Sequence, residues 1–104
     1  MGITDDGASL IVKFTQAAIQ MFEDSSLNDQ QLVVNVAQPL KDMAGQCGAV
    51  EDAAGNVLLC LVYLVQDRGI PVADIQGLKD DIRAAAANAG HTGFVTLFDK
   101  YAPQ

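Results

Sequence analysis

Hydrophobic and polar residues recur along most of this chain in steps of three and four, the period of a helix that buries one face. Ile11, Phe14, Ala18, Met21 and Phe22 mark such a face in a first segment ending near Glu23. Thr4 or Asp5 can cap it, and Lys13, Gln16 and Gln20 form its wet side. Asp24-Ser25-Ser26-Leu27-Asn28-Asp29 then gathers residues that prefer caps and turns. A second helix follows through Val33, Val36, Ala37, Leu40 and Met43. Pro39 predicts a kink or a restart inside it, and Gly45 a stop.

From Gly45 to Asn56 three glycines interrupt the pattern, and the stretch reads as an irregular connection or a short helix. Next comes Val57-Leu58-Leu59-Cys60-Leu61-Val62-Tyr63-Leu64-Val65, nine residues without a charged or amide side chain. Such a run is expected to be buried. Its four leucines and Gly69 as a stop favour helix, with Asn56 as the cap, although the turn signal before it would also suit a strand. It is far shorter than the roughly 20 apolar residues that span a bilayer. Pro71 enforces the stop, and Asp74 opens a fourth helix with Ile75, Leu78, Ile82, Ala85 and Ala89 inward and Lys79, Asp80 and Arg83 outward, ending at Gly90. Thr92 caps a last helix bearing Phe94, Leu97, Phe98 and Tyr101 on one side. The expected fold is all-α, a compact single-domain bundle (1–104) of about five helices around a central apolar helix (57-68).

Composition sharpens this picture at two points. Half of the residues are hydrophobic, and adding the nine glycines brings the apolar share to about 59%, above the 45–50% of ordinary soluble domains. A surplus beyond one core predicts a face that meets another molecule, most simply a second copy in a homodimer. The smooth Ala84, Ala85, Ala86, Ala87 run and the aromatics Phe94, Phe98 and Tyr101 are the candidate interface. The net charge of −7 argues against nucleic acid or an anionic membrane as partner. Eleven of the thirteen acids are aspartates, mostly near the expected helix ends (Asp5, Asp6, Asp24, Asp29, Asp52, Asp74), where short carboxylates cap the helix or oppose its dipole. With no basic, apolar leader at Met1-Gly2-Ile3-Thr4, the expected compartment is the cytoplasm.

Candidate chemistry is sparse. The single histidine, His91, stands between two helices and is expected to meet helix-terminal carbonyls. Cys47 and Cys60, thirteen apart, match no metal or redox spacing and read as free thiols. No acidic metal loop or glycine-rich phosphate loop occurs, so no metal, cofactor or catalytic residue is assigned and no enzyme is expected. Asp24-Ser25-Ser26-Leu27 followed by Leu32-Val33 resembles, over about ten residues, the acyl carrier protein motif. In that family a serine opening helix two bears a phosphopantetheine arm. The acid does not directly precede Ser26 here, and the family's long preceding loop is missing, so an ordinary N-cap serine is the preferred reading.

The function expected from these residues is a small acidic helical protein-interaction module acting through an apolar face: a subunit, adaptor, chaperone or inhibitor. The alternative is an acidic immunity or anti-restriction type of mimic. Less favoured are a carrier-like domain and a small-ligand protein with a pocket among Phe14, Phe22, Phe94 and Phe98.

Overall fold

A computed structural model of the chain describes the backbone of residues 3–104 and the side chains of residues 8–104. The caps expected at Thr4 and Asp5 lie outside the described side chains. Among the described residues five α-helices follow one another: α1 (Ile3–Glu23), α2 (Asp29–Cys47), α3 (Glu51–Val62), α4 (Gln76–Asn88) and α5 (Thr92–Tyr101). A π-helical turn, Tyr63–Asp67, extends α3, and a 3-10 turn, Val72–Ile75, leads into α4. Among the described residues there is no strand, so the Val57–Val65 run is helical.

The start of α2 is fixed by reciprocal bonds. Asn28 Oδ1 accepts from Gln31 N at 2.8 Å, and Gln31 Oε1 accepts from Asn28 N at 3.0 Å, forming a capping box. Asn28 is therefore the cap, and Ser26 is not. Both the amide and the hydroxyl of Ser26 donate to Asp24 Oδ1, at 2.9 and 2.6 Å, and these two donors hold the Asp24 carboxyl below the usual carboxylate range. Pro39 neither breaks nor restarts the helix. Its missing N–H leaves the carbonyl of Asn35, an exposed residue, without the usual intrahelical donor.

Leu32, Val36, Leu40, Met43 and Ala44 of α2 are fully buried, and α1 and α4 pack on either side of them. The hub of the bundle is thus α2 and not the apolar run, whose helix leans on α1, α2 and α5 and keeps one side open. The run was expected to be wholly buried, yet Leu59 is 70% exposed. Ala53, Ala54, Val57, Cys60, Leu61 and Leu64 recur at three- and four-residue steps and occupy all of the inner face, so Leu59 turns to solvent.

The expected irregular connection is mostly helix. Only Gly48-Ala49-Val50 separates α2 from α3, which begins at Glu51 because Glu51 and Asp52 suit a first helical turn and Ala53 and Ala54 continue it. Asn56 is accordingly not a cap but an interior residue, donating through Nδ2 to Asp52 O at 2.8 Å. Gly55 lies inside the same helix with open space around the position a Cβ would take. Gly55→Ala should raise the unfolding free energy by about 0.5–1 kcal/mol, measured by urea denaturation, because it removes unfolded-state freedom without a clash.

Arg68 ties the end of the π-turn to the rest. Its amide donates to Tyr63 O at 3.1 Å, closing the wide ring, and its guanidinium reaches Asp29 at 2.9 Å, Leu27 O at 3.4 Å and Phe22 O at 3.5 Å. Gly69 then leaves the helix at φ +70°, as the sequence signalled.

Ile75 at the end of the 3-10 turn and Leu78, Ile82 and Ala86 of α4 face inward, with Ala85 half-buried and Ala89, just past the helix, exposed rather than inward. Lys79, expected outside, is 9% exposed, and its Nζ donates to Pro103 O at 2.6 Å. Gly90, at φ +81°, ends α4 with Gly90 N bonded to Ala87 O and His91 N to Ala86 O, a Schellman closure. His91, not Thr92, occupies the cap position of α5, without a side-chain cap bond. Phe94 and Phe98 are buried and stacked, with ring centroids 5.8 Å apart.

Candidate functional site: the groove between α1 and α3

Two contacts with the same sequence offset set α1 and α3 side by side. Thr15 Oγ1 donates to Asn56 Oδ1 at 3.4 Å, and Phe22 stacks on Tyr63 with centroids 4.5 Å apart, both pairs 41 residues apart in sequence. Equal offsets seven residues on mean that the helices run parallel and in register. Between them lies an open groove of two lobes joined at Thr15 and Asn56.

The first lobe, about 430 Å³, is lined by Ile19, Phe22, Glu23, Leu59, Cys60 and Tyr63 as well as that pair. The second, about 290 Å³, is bounded by Ala8, Ile11, Val12, Gln16 and Asp52. Val12 is 54% exposed, Ile19 43% and Leu59 70%, so large apolar side chains stand on both lips. The π-turn begins at Tyr63, on the groove wall. π-Turns of this kind recur at functional positions in helices.

A larger hollow of about 550 Å³ opens among Asp29, Gln30, Val33, Val34, Ile70 and Asp74. Its Asp29 carboxylate is already engaged by Arg68, and its lining is mixed rather than apolar.

The residues singled out in the sequence fall elsewhere. Ala86, Phe94 and Phe98 are consumed by the chain's own core, which corrects their place in the candidate interface. A side chain at 0–3% exposure has no surface left to offer a partner. Ala84, Ala87 and Tyr101 are exposed and Ala85 is half-buried. The four phenylalanines do not gather into one pocket either, since Phe94 and Phe98 stack in the core while Phe22 pairs with Tyr63. His91 Nε2 donates to Gly45 O at 3.0 Å, so it meets a carbonyl near the end of α2 rather than of α4. Ser26, the serine of the carrier-like motif, is exposed and lies two residues before the α2 cap instead of opening the helix. Among the described residues no group of three or more His, Cys, Asp or Glu side chains is placed to hold a metal ion.

Both cysteines are free and buried, and burial pushes the Cys60 thiol up to about 11. At pH 8 about one Cys60 in a thousand is then thiolate, so a disulfide thiol reagent should label the native protein far more slowly than the urea-unfolded chain. Equal rates in the two states would show that the groove floor is open.

Comparison with protein-family models, curated proteins and solved structures gives no match to this chain. The groove is therefore read from its own geometry. Sequence reasoning missed it, although a signal was present. A helix that is apolar all round in a chain this small cannot bury every side, so some of residues 57–65 had to face outward. Among the described residues no helix is long and apolar enough to cross a membrane.

Proposed function

We propose that this protein is a small acidic interaction module, without catalysis of its own, that binds another protein chain through the α1–α3 groove. The observation that carries this reading is the apolar strip Val12, Ile19 and Leu59 along a groove with Phe22 and Tyr63 in its wall. Single exposed apolar residues need no explanation, but three of them on the walls of one two-lobed cleft support its reading as a recognition surface. Two free thiols suit a reducing compartment, and the cytoplasm is the proposed site of action.

A photo-crosslinking amino acid placed at Leu59 in cells of the natural host tests the reading, with exposed Asp80 on α4 as the control position. A discrete protein adduct from position 59 and none from position 80 is the expected result. Absence of adducts at position 59, or the same adducts at both positions, overturns it. Leu59→Glu should also abolish the adduct formed by a crosslinker at Ile19. The fold should be unharmed, because exposed substitutions usually move stability by less than about 0.5 kcal/mol.

A further inference from the structure

We infer that the groove receives a cationic amphipathic helix of a different protein, and not a second copy of this chain. The inference rests on the interaction reading above and adds the chemistry of the partner. Along α1 the lining runs from Ala8 to Glu23, which at 1.5 Å per residue is about 22 Å, or four helical turns. Val12 in one lobe and Ile19 in the other are seven residues apart, about 10.5 Å, the distance between positions i and i+7 of a helix. Two large apolar residues one heptad apart therefore seat one in each lobe, the spacing by which a helix docks in a groove.

Charge decides between partners. Among the described residues each lobe carries one carboxylate on its lining, Glu23 in the first and Asp52 in the second, and no lysine or arginine. A second copy would bring Glu23 and Asp52 to the same groove in duplicate, on chains that each carry −7. A helix with lysine or arginine flanking its apolar stripe places opposite charge at both carboxylates. Thr15 and Asn56 between the lobes and Gln16 in the second offer neutral polar contacts.

The probe is a synthetic Leu/Lys peptide of about 18 residues with leucines at three- and four-residue steps, titrated by fluorescence anisotropy beside a Leu/Glu peptide of the same pattern. Sedimentation velocity of the protein alone reports self-association. The Leu/Lys peptide should bind one to one and the Leu/Glu peptide should not. Leu59→Glu and Ile19→Glu should each weaken binding by about tenfold although they add negative charge, because the apolar seat is lost. Glu23→Gln with Asp52→Asn should weaken it by about fivefold and flatten its salt dependence.

Unchanged or tighter binding to the Leu59→Glu and Ile19→Glu variants overturns the inference, since charge alone would then account for it. A wild-type dimer that Leu59→Glu splits overturns the choice of partner but keeps the groove as an interaction surface. No peptide binding, no dimer and no crosslink from position 59 overturn both readings. Circular dichroism of each variant confirms that a lost signal is not a lost fold.

Discussion

Phe94→Ala should lower the unfolding free energy by about 3–5 kcal/mol and the melting temperature by about 15 °C or more. The ring is 2% exposed, stacks on Phe98 at 5.8 Å, and sits on a helix of ten residues. A helix that short is not stable in water alone, so α5 persists only through its packing on α3 and α4. Removing the ring leaves a cavity at this junction and deprives Phe98 of its neighbour. Differential scanning calorimetry measures the loss, and limited proteolysis should show cutting within residues 92–101 before the rest of the chain. A melting temperature within about 3 °C of wild type would mean that α5 is held by something other than this aromatic pair.

Gly48→Ala should cost about 3 kcal/mol, at the upper end for one added methyl group. The residue has ordinary helical angles, φ −63° and ψ −18°, so it is not glycine for the sake of its backbone. It is glycine for space. An added Cβ would meet the carbonyl of Ala44 and come within 2.5 Å of the His91 ring. His91 is itself held by its bond to Gly45 O, and a backbone carbonyl cannot swing away. The α2–α3 connection and the start of α5 would have to part. Urea denaturation of Gly48→Ala beside Gly55→Ala checks the argument, because the same chemical change should have opposite signs at the two positions.

Much of the fold was legible because it rests on local signals. The steps of Ile11, Ala18 and Phe22, the cap-rich stretch before Asp29, and the glycines at 69 and 90 place α1, α2 and the ends of the third and fourth helical segments. What failed did so where long-range packing decides. Lys79 lies on the polar side of its helix by composition, but the returning chain brings Pro103 O within reach and draws the lysine inward. Phe94 and Phe98 are as apolar as any interface residue, and only the position of α3 and α4 shows that they face the core. The stretch 45–56 reads as broken because of its glycines, yet tertiary packing of Ala53, Ala54 and Val57 outweighs the roughly 1 kcal/mol cost of Gly55 within a helix. The groove was hidden for a related reason, since it requires Thr15 to find Asn56 and Phe22 to find Tyr63 across 41 residues.

The equal offset of those pairs also gives the groove a direction. Antiparallel neighbours cancel each other's peptide dipoles, whereas α1 and α3, running the same way, add theirs and bring their carbonyl ends together beside Glu23 and Asp67. The difference acts at the two ends of an incoming helix, where the unsatisfied backbone groups lie. For the helix proposed above, its amino end would be drawn to the Glu23 end and its carboxyl end towards the positive amino end of α3, so the orientation opposed to α1 is the one expected.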